Sequence, residues 1–151
     1  LSPLSLVTAF SSLVNGGYKI EPKIYPKDET HKERIISENI SSKVNLLMKR
    51  IVESGTGKNA KVKSLNVGGK TGTSKKVENG KYSDEKVITS FIGIFPVEKP
   101  EYLTFVLFDE PTRNTDESLE NFGGNTAAPT FSRIVKKISP ILNKNNFLAS
   151  D

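Results

Sequence analysis

The chain has 151 residues, 35% of them hydrophobic, which is enough to bury one compact core. It contains no cysteine, so disulfides, thiolate metal sites and cysteine nucleophiles are excluded. Its 22 Lys and Arg against 17 Asp and Glu give a net charge of +5, but the two signs are interspersed and no basic stripe carries interleaved aromatics, so no nucleic-acid partner is expected. No apolar run approaches the roughly 18 residues of a membrane helix, and the chain as given reads as soluble.

In "LSPLSLVTAFSSLVNGG" Ser2 can cap a helix and Pro3 suits its first position, while Leu6, Val7, Phe10, Leu13 and Val14 recur at helical spacing. Gly16 and Gly17 end it. "YKIEPKIYP" predicts one or two short strands broken by Pro22, and "KDETHKER" an exposed connection in which the single histidine, His31, is a solvated loop residue. Ser37 can cap a second helix with a stripe of Ile40, Val44, Leu47, Met48, Ile51 and Val52, closed by "SGTG". Strands are then predicted over 65–74, 87–95 and 102–109. The segments between them are polar and too short for a crossover helix, which makes an antiparallel meander. The second and third strands are apolar at nearly every position, so the sheet needs cover on both faces, and three helices are available for it. The last helix begins near Asn125, holds Pro129 in its early turns and presents Ala128, Phe131, Ile134, Val135 and Ile138. "DEPTRNTDESLENFGG" reads as a long acidic loop and residues 141–151 as a loose tail.

The stretch "VGGKTGTSKK" carries the chemistry. A phosphate loop needs G-x-x-x-x-G-K-[ST] between a strand and a helix; here Ser64 stands where the first glycine should be, and a strand follows rather than a helix. A flexible linker would not lead into a hairpin of buried strands. As a strand, the segment offers the fixed charge of Lys70, the hydroxyls of Thr71 and Thr73, and at Gly72 a position where a ligand backbone can come close. Such an edge can take an extended peptide as an added strand and hold its carboxylate, and an outward Thr73 N–H could donate to a developing oxyanion.

Lys70-Thr71-Gly72 resembles the third motif of penicillin-binding proteins and serine β-lactamases, which carry S-x-x-K, S-x-N and K-T-G in that order. "LSPLSLVTAFSSLVNGG", "VESGTGKNA", "SFIGIFPVEKPEYLTFVLFDEP" and "GGNTAAPTFSRI" are similar, in order, to further segments of that family, and together the likeness spans about residues 1–140. The "ENGKYS" hairpin and the "FDEP" ending look most like the division-type, class B transpeptidases.

The resemblance implies an α+β fold: the C-terminal part of a transpeptidase domain, an antiparallel meander covered by helices on both faces. It implies an activity in which a serine attacks the D-Ala-D-Ala end of a peptidoglycan stem peptide and the acyl group passes to a neighbouring strand, without a cofactor. By carry-over Lys70 assists the proton relay, Thr71, Gly72 and Thr73 bind substrate, and Thr73 N–H completes the oxyanion hole. Stem peptide, β-lactams and cell-wall or cell-division proteins are the implied partners, at the periplasmic face of the inner membrane. Ser83-Asp84-Glu85-Lys86 and Ser37-Glu38-Asn39 match S-x-x-K and S-x-N by coincidence, because both stand in the wrong order; the true pair is expected upstream of Leu1, leaving this chain inactive alone. In the family the last strand pairs with one from the N-terminal half, so residues 102–109 are expected to present a free edge and to favour self-association. A non-catalytic peptide-binding module and a serine β-lactamase are the alternative readings.

Overall fold

The computed structural model of the chain describes residues 2–25, 33–112 and 121–142, with backbone alone at 84 and 85. His31, most of the acidic loop and the tail from 143 lie outside the described residues.

Helix α1 (Pro3–Val14) starts where the sequence places it: Ser2 Oγ accepts from the Ser5 N–H at 3.2 Å and Pro3 fills the first turn. Gly16 and Gly17 both lie at φ +91, and a Cβ on Gly17 would meet Ile36 O at 2.1 Å, so the turn can pass this point only as glycine. Among the described residues of "YKIEPKIYP", 18–25, the predicted strands do not form. One isolated bridge, Tyr18 to Arg34, replaces them, held by Arg34 bonding Gly16 O and the Tyr18 hydroxyl, both at 2.6 Å.

Helix α2 (Glu38–Ser54) is capped by Ser37 Oγ, which accepts from the Ile40 N–H. Its buried face is rotated from the predicted stripe: Ser41, Asn45, Met48 and Val52 are buried, whereas Ile40 and Leu47 are exposed. The reason is polar. Ser41 Oγ accepts from Gly16 N–H at 3.0 Å and Asn45 Nδ2 donates to Val14 O at 3.1 Å, so α2 satisfies the backbone left open at the end of α1.

Three antiparallel strands follow in spatial order β1 (Gly68–Glu78), β2 (Lys81–Phe95) and β3 (Tyr102–Asp109). The first two run further than predicted, because the "ENGKYS" segment is no open loop. Asn79 and Gly80, at φ +52 and +77, make a two-residue turn whose backbone suits right-twisted strands. Pairing shifts between Lys75–Val87 and Val77–Tyr82, so residues 83–86 bulge out of β2 opposite Lys76 alone.

Alternate residues of β2 face opposite layers. Phe91 and Phe95 pack under helix α3 (Ala127–Ile138) with Phe131; all three are 0% exposed, and the Phe91 and Phe131 rings lie 4.9 Å apart at 53°. Ile94 faces the other way into a cluster with Val14, Met48 and Val97 beneath α1 and α2. Both faces of the sheet are therefore covered, as the continuous apolar strands require. Each buried phenylalanine contributes about 1.5–3 kcal/mol by leaving water.

Candidate functional site

Strand β1 pairs only with β2, so its far side is an open edge among the described residues. Register tells which groups face that edge. Glu110 N–H donates to Val87 O, which makes odd-numbered residues of β2 bond towards β3 and even-numbered ones towards β1. Their partners Gly68, Lys70, Gly72 and Ser74 therefore bond inward. The N–H and C=O groups of Thr71 and Thr73 point outward, where an added strand can pair; of these the Thr71 C=O also accepts from Lys70 Nζ.

The side chains alternate as well. A Cβ on Gly69 would strike the Phe91 ring, so Gly69, Thr71 and Thr73 face the α3 layer, and Lys70 and Gly72 face the opposite side. Two loops approach the threonines from the α3 layer. The turn after α2 brings Thr56 Oγ1 to 2.9 Å from Thr71 Oγ1, and the loop before α3 brings the Gly123 N–H to Thr73 Oγ1 at 3.1 Å. The loops are tied to each other, Asn59 Nδ2 donating to Gly124 O at 2.9 Å. Beneath them the Thr126 hydroxyl lies 2.8 Å from the fully buried Thr89 hydroxyl. Gly123 seats directly over the β1–β2 pair: a Cβ there would fall 2.5 Å from Ser90 O and 2.6 Å from Gly72 O. The space that a side chain at Gly72 would take is filled by Ser90 Oγ, 2.5 Å from its ideal Cβ.

Lys70 leaves the sheet on the other face, but its Nζ turns back to the edge and donates to Thr71 O at 2.6 Å. An ammonium, two hydroxyls and outward backbone donors thus converge on one stretch of strand edge. That set matches a chain-terminal carboxylate approaching in extended conformation.

The other sequence matches lie elsewhere. Ser83 and Lys86 belong to the β2 bulge, where Ser83 Oγ accepts from the Lys86 N–H at 3.1 Å and Lys86 Nζ is bound to Glu78. A strand bulge does not stack residues three apart as a helix does, and the Lys86 amine is committed: the Glu78 carboxylate holds its pKa above the ordinary lysine value, and Lys86 in turn lowers that of Glu78. Ser37 is consumed as the α2 cap. Lys76 bridges Asp109 at 2.9 Å and Glu110 at 2.5 Å, spanning the sheet from β1 to the end of β3, and both carboxylates, Glu110 foremost, raise its pKa. Among the described residues no group of three or more His, Cys, Asp or Glu could hold a metal ion, and no helix is long and apolar enough to cross a membrane. Sequence reasoning named Lys70, Thr71, Gly72 and Thr73 but gave no part to Thr56, Asn59 or Gly123; "GTGKNA" and "FGG" were visible, but only the fold shows that they meet β1.

Residues 1–136 match the model of the penicillin-binding protein transpeptidase domain. The chain belongs to that family. It is 34% identical to stage V sporulation protein D of Bacillus subtilis, over 94% of this chain and 23% of the relative, and 34% identical to the probable peptidoglycan D,D-transpeptidase FtsI of Caulobacter vibrioides, over 94% and 26%. The transpeptidase domain of Burkholderia pseudomallei penicillin-binding protein 3, solved in its apo form, superposes with a TM-score of 0.82 at 30% identity, covering 95% of this chain and 43% of that one. Penicillin-binding protein 3 of Mycobacterium tuberculosis, solved with ampicillin, shares the fold at a TM-score of 0.83 and 23% identity, covering 100% of this chain and 36% of that one. The chain spans about a quarter of the length of the two curated relatives.

Proposed function

We propose that this chain is the C-terminal part of a peptidoglycan D,D-transpeptidase and supplies one wall of its active site. The observation that carries the reading is the open edge of β1, with the hydroxyls of Thr71 and Thr73 on one face, their backbone groups outward and the Lys70 ammonium alongside. A stem peptide laid along this edge pairs as an added strand. Its terminal carboxylate takes the two threonine hydroxyls, and Thr73 N–H donates to the oxyanion of the tetrahedral intermediate. Lys70 stabilises negative charge at the edge and assists the proton relay. β-Lactams, which carry a carboxylate beside a strained acyl group, occupy the same edge.

The acylated serine lies outside this chain in the reading. Ser37 caps a helix, and Ser83 sits in a strand bulge with its neighbouring amine bound to Glu78. The intact protein would act on the outer side of the cytoplasmic membrane, alongside cell-division or cell-wall synthesis proteins; kinship with FtsI favours the division role. Incubation with a fluorescent penicillin tests the reading. The intact protein is expected to label one to one at a serine other than Ser37 and Ser83, while the isolated chain stays unlabelled. Stoichiometric labelling of Ser83 would overturn it.

A further inference from the structure

Thr56 and Thr71 share one hydrogen bond, and the direction of that bond decides what Thr71 can offer a ligand. Their oxygens are 2.9 Å apart and either hydroxyl could be the donor. Thr73 has no such ambiguity: its oxygen accepts from Gly123 N–H, so its own proton is left for the ligand. If Thr71 donated to Thr56, its proton would be spent and a carboxylate would meet only lone pairs there. If Thr56 donates, Thr71 matches Thr73 and both present a proton to the same anion.

Resting on the reading of β1 as a carboxylate-holding edge, we infer that Thr56 is a positioning residue that donates its hydroxyl proton to Thr71 Oγ1 and thereby turns the Thr71 proton towards the carboxylate of substrate or β-lactam. The local structure is built to hold Thr56 there. Gly55 and Gly57 both donate to Ile51 O at 3.1 Å, which closes α2 tightly just ahead of Thr56. A Cβ on Gly57 would meet Ile51 and Phe91 at 3.2 Å, and one on Gly124 would lie 2.5 Å from Thr56 O, so bulk is excluded on both sides of the threonine backbone. Asn59, three residues on, anchors the turn to Gly124. The same few residues thus fix the partners of both threonines: the turn after α2 holds that of Thr71, and the loop before α3 that of Thr73. A carboxylate bound in this cradle completes the ordering, because its charge favours whichever hydroxyl arrangement aims protons at it.

The test compares acylation of the intact protein by benzylpenicillin and by its methyl ester, which keeps the reactive ring and lacks the negative charge. The readout is the ratio of the two second-order rate constants. Thr56→Val, which keeps shape and removes the hydroxyl, is expected to lower that ratio about three- to tenfold, the worth of one ordinary hydrogen bond between neutral groups. Thr56→Ser is expected to restore most of it. Thr71→Val should lower the ratio at least as far, and the double variant should be no worse than Thr71→Val alone, since Thr56 acts only through Thr71. Equal loss for penicillin and ester in Thr56→Val, or multiplying losses in the double variant, would overturn the inference while leaving the edge reading standing. A Thr71→Val protein that keeps the wild-type ratio would overturn both.

Discussion

Gly69→Ala tests how rigidly the core fixes the position of the β1 edge. A Cβ at residue 69 would stand 2.2 Å from Phe91 Cζ, 2.6 Å from its Cε1 and 2.8 Å from Ile92 O, all far inside contact distance. Phe91 cannot swing away freely: it is 0% exposed and wedged against Phe131 at a centroid distance of 4.9 Å. Either the ring leaves its place in the core or β1 is pushed from β2, and overpacking of this kind costs about 1–3 kcal/mol. For a domain of this size each kcal/mol moves the melting temperature by about 2–4 °C, so circular dichroism should report a fall of roughly 2–12 °C. Phe91→Leu relieves the clash. The double variant should therefore melt higher than the two single losses predict, with a coupling of about 0.5–3 kcal/mol. Because Lys70, Thr71 and Thr73 follow directly on the strand, acylation of the intact protein should slow as well. An unchanged melting temperature, or strictly additive losses, would refute the placement of Phe91 beneath Gly69.

Gly80→Ala probes the turn without any clash, since nothing lies within 4 Å of its ideal Cβ while φ is +77; the strain of a left-handed alanine should cost about 1 kcal/mol by urea unfolding and leave penicillin binding untouched. Glu78 has a pKa lowered from the ordinary 4.5, chiefly by its hydrogen bond to Lys86, so its stabilising effect is present above 4.5 and lost as pH falls through the lower folded value. Melting curves should accordingly show Glu78→Gln closing its gap to wild type as pH falls below about 4.5, and high salt should shrink the gap at neutral pH, the pair being exposed. Among the described residues β3 pairs only with β2, and its other side is expected to drive concentration-dependent self-association of the isolated chain; Leu107→Lys, at an exposed position of β3, should suppress it in sedimentation velocity, and a chain that stays monomeric at high concentration would count against an adhesive edge.

Elements whose boundaries rest on local chemistry could be read directly. Ser2-Pro3 and Ser37 announced their helices, and the continuous apolar run of β2 announced cover on both faces, which α1, α2 and α3 supply. What long-range contacts decide was not legible. Ser41 and Asn45 are buried because the end of α1 needs hydrogen-bond partners, which no periodicity of α2 alone reveals, and the rotation of its buried face follows from that. Tyr18 and Arg34 make a clasp in place of a strand through a guanidinium 4.3 Å above a ring, sixteen residues away in sequence. The Asn79-Gly80 turn was readable, but the charged residues around it masked the strands that it joins; those residues pair across the hairpin surface as Lys86–Glu78 and reach β3 as Lys76–Asp109. At the site, Lys70, Thr71 and Thr73 could be named from one strand. Thr56 and Gly123 reach it from loops 15 and 50 residues distant from their partners, and only folding brings them there.

The account stands on the open edge of β1 as the place where a carboxylate and an acyl oxygen are held. A crystal structure of the intact protein acylated by a penicillin measures this directly. The account predicts the drug carboxylate within about 2.5–3.0 Å of Thr71 and Thr73 Oγ1, and its acyl oxygen about 2.7–3.2 Å from Thr73 N. A carboxylate bound by other groups, with both threonine hydroxyls unengaged, would contradict it.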